Sequence, residues 1–117
     1  MDQTKFTFIN NTFSDITTNS KTMINFLYNP VIIKNCVFKN NLCNGDSDNS
    51  SLIIFDSGDG SDTLDINNVI IENCITNGDL IIINGNNSTV TLSNIEINNI
   101  HSYGSIINNQ SLNVLKL

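Results

Sequence analysis

Residues 64–74 read LDINNVIIENC, and the Asn pair at their centre decides the fold. Six of these eleven residues are apolar, counting Cys74. Leu64-x-Ile66 alternates as a half-buried strand does, Asn67-Asn68 interrupts it, and Val69-Ile70-Ile71 resumes it. Asn is depleted inside strands but tolerates left-handed backbone and hydrogen-bonds to nearby backbone groups. An apolar run that halts at Asn and then resumes reads as a chain that turns a corner with its backbone polar groups still satisfied.

The same pattern recurs three more times. FTFINNTFSDI starts at Phe6, VIIKNCVFKNN at Val31 and VTLSNIEINNI at Val90. Aligned with Leu64, they share Asn10, Asn35, Asn68 and Asn94, then an apolar anchor (Phe13, Phe38, Ile71, Ile97), then Asp15, Asn40, Asn73 and Asn99. Each segment is followed by a second apolar cluster: MINFL (23–27), SLIIF (51–55), DLIIIN (79–84) and GSIINN (104–109). The starts lie 25, 33 and 26 residues apart, and the long interval holds two polar inserts, CNGDSDNSS and DSGDGSDT. A further start near Leu112 or Val114 is expected.

A fixed period of this size is the mark of a repeat architecture. Short β-branched runs and abundant Asn disfavour helical repeats, and the denser Leu pattern of leucine-rich repeats is missing. The expected fold is all-β: a right-handed parallel β-helix of four to five coils, each about 25 residues with three short strands. Residues 1–117 are expected to form a single module, excised from a longer array. An antiparallel sandwich is the alternative. Stacked coils place Asn10, Asn35, Asn68 and Asn94 above one another, where side-chain amides bond along the stack as an Asn ladder. Asn10 is expected to point inward, so among the N-x-S/T triplets the better glycan acceptors are Asn49, Asn86, Asn87 and Asn109, in loops.

Composition narrows the function. Asn accounts for 23 residues and Ile for 19, and the Ile residues are periodic, which argues for buried strands over disorder. Net charge is −6 and every basic residue is Lys, so the chain has too few cations to neutralise phosphates or an anionic membrane. No apolar stretch has transmembrane length, and no signal peptide is visible. Cys36, Cys43 and Cys74 lack C-x-x-C spacing. Two arrangements stay open for them: buried thiols, or one disulfide, for which Cys43–Cys74 is the pair favoured by position.

Catalysis is not expected. There is no Arg and no paired-Asp motif on a strand, and His101 in NIHSYG lacks flanking glycines. No cofactor is implied. Acids recur in DSDNS (46–50) and at Asp56, Asp59 and Asp62 in DSGDGSD, two or three apart as in calcium loops, but the EF-hand pattern is incomplete. These acids are either solvated loop acids or a Ca²⁺ site.

The second apolar cluster carries the binding expectation. Asn25 sets the register in MINFL, with Ile24 and Phe26 inward. Carried forward, that register buries Ile53, Phe55, Ile81 and Ile83 and exposes Leu52, Ile54, Leu80, Ile82 and Ile106 as an apolar stripe; the opposite register moves the stripe to Ile53, Phe55, Ile81 and Ile83. Such a stripe marks a partner surface, unless a loop, a terminus or a neighbouring chain covers it. Tyr28 and Tyr103 are further candidate contacts.

The V-x-I-x-N-x-x-F-x-N coils resemble the wider pectate-lyase-like family of β-helices, over essentially the whole chain. That likeness is to a fold and carries no active-site motif. With the Asn- and Ile-rich composition, the chain most resembles the repeats of large extracellular scaffoldins of anaerobic gut fungi. Those carry cohesin-type modules that capture enzyme-borne dockerins. The resemblance implies an extracellular, non-catalytic module that binds a dockerin domain, with end-to-end stacking against neighbouring repeats. A carbohydrate-binding or adhesin-like β-helix is the alternative, and a fragment of a polysaccharide lyase or hydrolase a third reading.

Overall fold

The computed structural model describes residues 5–45 and 50–111. The expected further coil start near Leu112 or Val114 lies outside them. The chain winds into a parallel β-solenoid of about four turns. The first coil contains β1 (Phe6–Ile9), β2 (Thr12–Ser14), β3 (Thr17–Thr18) and β4 (Thr22–Leu27). The second contains β5 (Val31–Lys39), β6 (Leu42–Cys43) and β7 (Ser51–Asp56). The third contains β8 (Thr63–Glu72), β9 (Ile75–Thr76) and β10 (Ile81–Asn84), and the fourth β11 (Thr89–Asn98), β12 (His101–Ser102) and β13 (Ile107–Asn109). All pairings are parallel and form three sheets: sheet A (β1 and β2, then β5, β8, β11), sheet B (β3, β6, β9, β12) and sheet C (β4, β7, β10, β13).

The corner residues explain how a long apolar segment wraps a core. Asn10, Asn35, Asn68 and Asn94 all have φ between 51° and 60°. In β5, Val31 and Ile33 point inward, Lys34 and Asn35 both point outward, and Cys36 and Phe38 point inward again. Strict alternation would have put Asn35 inside. One left-handed residue shifts the phase and bends the strand, so both halves bury their apolar side chains. The four Asn side chains are therefore exposed, which corrects the inward expectation for Asn10. A second left-handed column, Asp15, Asn40, Asn73 and Asn99, makes the corner into sheet B.

The ladder exists with altered rungs. Asn68 Nδ2 donates to Asn35 Oδ1 at 2.6 Å, and in the second column Asn99 Nδ2 donates to Asn73 Oδ1 at 2.7 Å. Asn94 Nδ2 instead donates to Asn67 Oδ1 at 3.3 Å.

Inside, residues of like position stack in register. Phe13, Phe38, Ile71 and Ile97 form one column, and Ile24, Ile53, Ile81 and Ile107 another. The first coils are filled by rings: Phe13 and Phe38 stack with centroids 4.8 Å apart, and Phe8 meets Phe13 edge-on at 5.7 Å. The later coils are aliphatic, with Leu64, Ile71, Leu80, Ile81 and Ile83 fully buried. Asn41 is buried among these residues. Its amide donates to the Phe13 carbonyl and its oxygen accepts from the Ile16 N–H, so it ties the first coil to the second.

Candidate functional site

The outward face of sheet C carries the candidate site, and from Ile54 and Ile82 onward its register is the expected one. Asn25, Ile54, Ile82 and Asn108 lie in one outward column, and Leu27, Asp56 and Asn84 in the next. Gln110 continues that second column, its N–H bonded to the Ile83 carbonyl. Together with Lys21 these residues, Asn108 excepted, line a groove of about 280 Å³. Ile54 and Ile82 form its floor. Each points away from the core yet is only 6% exposed, between walls that are polar or charged apart from Leu27. The sheet supplies a rigid backbone, so the spacing of floor and walls is fixed.

The expected apolar stripe is narrower than its sequence reading. Leu52 and Leu80 are fully buried and belong to the core. The Leu52 and Ile53 N–H groups both donate to the Leu80 carbonyl, at 3.0 and 3.2 Å. Two successive amides converging on one acceptor mark a bend in which alternation fails, so Leu52 and Ile53 both face inward. Leu80 sits in the same corner, just before β10. Ile106, one coil further on, is 39% exposed. The stripe is thus a pair, Ile54 and Ile82, bounded by Asn25 and Asn108. The wall residues Lys21, Asp56, Asn84 and Gln110 were not foreseen. For three of them the signal was present: Asp56, Asn84 and Gln110 fall two positions after the outward residue of each strand.

The remaining candidates are dispersed. Tyr28 (61% exposed) follows β4 in the first coil, with its ring over Gly58. Tyr103 (82% exposed) follows β12 in the fourth, beside His101 and Ser102 in a shallow depression. The two rings stand at different corners and opposite ends of the stack, so they form no common platform.

Asp56 Oδ1 accepts from the Gly58 N–H at 2.8 Å, and Asp59 Oδ1 accepts from Asn86 Nδ2 at 2.6 Å. Asp62 is buried, and Asp46 and Asp48 lie outside the described residues. Among the described residues no group of three His, Cys, Asp or Glu side chains is arranged to hold a metal ion. Of the acceptor triplets, Asn86 and Asn87 are exposed, whereas Asn49 lies outside the described residues.

Cys36, Cys43 and Cys74 are buried free thiols in the core. Burial first, and the neighbouring Cys74 second, push the Cys43 thiol up to about 11. Cys74 is also raised, first by burial. The favoured disulfide pair is thus an unbonded, protonated pair at neutral pH.

No family model, curated protein or solved structure matches this chain.

Proposed function

We propose that this solenoid is a non-catalytic protein-binding module and that the sheet C groove is its recognition surface. The observation that supports this most is the Ile54–Ile82 pair: two adjacent aliphatic side chains on an outward face, enclosed by Asn25, Asn84, Gln110, Lys21 and Asp56. An apolar floor with polar walls suits a partner that inserts an aliphatic or aromatic side chain and fixes its orientation by hydrogen bonds at the rim. The rim offers amide donors and acceptors, one ammonium and one carboxylate.

The likeness of the coil pattern to fungal scaffoldin repeats names the partner class as a dockerin domain, on an extracellular protein. The carbohydrate-binding alternative asks for aromatic platforms, and the separation of Tyr28 from Tyr103 gives it less support.

The test is capture of dockerin-bearing enzymes from an anaerobic-fungal cellulase mixture by the immobilised chain, with Ile54→Asn and Ile82→Asn variants alongside. Capture by the parent and loss by both variants is expected. Capture unaffected by either variant overturns the groove as the interface. Failure to capture any dockerin-bearing enzyme overturns the scaffoldin reading.

A further inference from the structure

We infer that the sheet C groove recognises an extended segment of its partner in which an acidic, an aliphatic and a basic side chain stand at alternate positions. This rests on the protein-binding reading above and specifies what the partner inserts.

The inference starts from the charges along the groove. Among the described residues Lys21 is its one cation and Asp56 its one carboxylate, and they stand at opposite ends. Lys21 precedes β4, and its carbonyl accepts the Ser51 N–H at the start of β7. Asp56 ends β7, in the column of Leu27 and Asn84. Ile54 and Ile82 lie between them. A strand rises about 3.3 Å per residue, so the Asp56 column is about 7 Å from the isoleucines. On the other side the Lys21 backbone is about 13 Å away. Its flexible stem carries the ammonium back along the groove.

The face between Lys21 and the isoleucines is clear of strand side chains in the first three coils. Met23, Leu52 and Leu80 hold the positions that alternation would point outward there. Leu52 and Leu80 are instead fully buried, and Met23 packs against the core. The inward bend at these residues leaves room for a guest side chain beside the apolar floor.

An extended segment matches this spacing. Its side chains at alternate positions share a face and lie about 7 Å apart. With an aliphatic side chain on Ile54 and Ile82, its neighbour on one side reaches Asp56 and its neighbour on the other reaches Lys21. A base suits the first place and an acid the second, and a like charge at either is repelled. Asp56 Oδ1 accepts from the Gly58 N–H, which leaves Oδ2 for the base. The segment's own backbone groups need partners once water is displaced. Asn25, Asn84 and Gln110 on the walls offer amide donors and acceptors for them.

Titration of the full chain with acetylated, amidated pentapeptides tests this, read by NMR at the Ile54 and Ile82 methyls. Glu-Ser-Leu-Ser-Lys is expected to bind in the millimolar range. Lys-Ser-Leu-Ser-Lys, Glu-Ser-Leu-Ser-Glu and Glu-Ser-Asn-Ser-Lys should each bind about fivefold or more weaker. Lys21 is exposed, so Lys21→Glu should leave the far-UV CD spectrum unchanged. That variant is expected to prefer the doubly basic peptide. Equal affinity for all four peptides, no binding of any at millimolar concentration, or a Lys21→Glu chain that keeps the parent's preference overturns the inference. If the parent then still captures a partner and Ile54→Asn abolishes capture, the peptide inference alone falls. If capture is insensitive to Ile54→Asn, the groove reading falls with it.

Discussion

The Asn68 side-chain amide donates to the Asn35 carbonyl oxygen one coil below, across 2.6 Å, and both residues hold left-handed backbone. The corner thus combines a conformational requirement with a side-chain bond. The two separate by substitution. Asn68→Gly keeps the left-handed geometry and loses the bond. Asn68→Val loses both, and a β-branched residue pays about 1–2 kcal/mol for a left-handed φ. In urea denaturation Asn68→Val is expected to be less stable than Asn68→Gly by about that amount. Equal stability would mean that the bond, and not the handedness, is what the position needs.

Leu80 and Ile82 are two residues apart but face different surroundings. Leu80 is fully buried in the core, and Leu80→Ala is expected to cost about 2–5 kcal/mol. Ile82 shares an outward column with Asn25 and Asn108, so an Asn is compatible with its backbone position. Ile82→Asn should retain the far-UV CD spectrum while weakening partner binding. A chain that unfolds on Ile82→Asn, or tolerates Leu80→Ala without loss, would contradict the register.

Asn41, itself buried, satisfies one partly buried N–H and one partly buried carbonyl across two coils. Asn41→Ala leaves both without their partner. Loss of about 1–3 kcal/mol per unpaired group is expected, measured by denaturant unfolding. Asn44, an exposed residue in the same coil, serves as the control, and Asn44→Ala should fall within about 0.5 kcal/mol of the parent.

The Cys43 thiol is raised from 9.0 to about 11 by burial. The folded state therefore holds this proton more tightly than the unfolded state. The resulting stability is complete below pH 9 and is lost as pH rises through about 11. Melting temperature should fall between those values more steeply for the parent than for Cys43→Ala, a comparison that removes the contribution of Lys and Tyr ionisation. At pH 8 the native thiols should resist a thiol-specific reagent, and all three should react in denaturant.

Much of this molecule was legible in the sequence because its information is periodic. Asn10, Asn35, Asn68 and Asn94 marked the corners, since few residues other than Gly accept left-handed backbone, and the coil period and the strand columns followed from them. The outward placement of Ile54 and Ile82 followed from Asn25 and strict alternation.

Only the tertiary structure decided the rest, for two physical reasons. Alternation holds only along an extended strand, and the bend at Leu52 turned two expected surface residues, Leu52 and Leu80, into core. The phase shift at each left-handed Asn likewise moved its side chain from inside to outside. Burial also depends on what lies above a residue. Leu80 and Ile106 hold the same place in successive coils, yet one is fully covered and the other 39% exposed, because the fourth coil has no described coil over it. The sequence determined the coil; the stack determined which of its side chains face a neighbour, a groove or water.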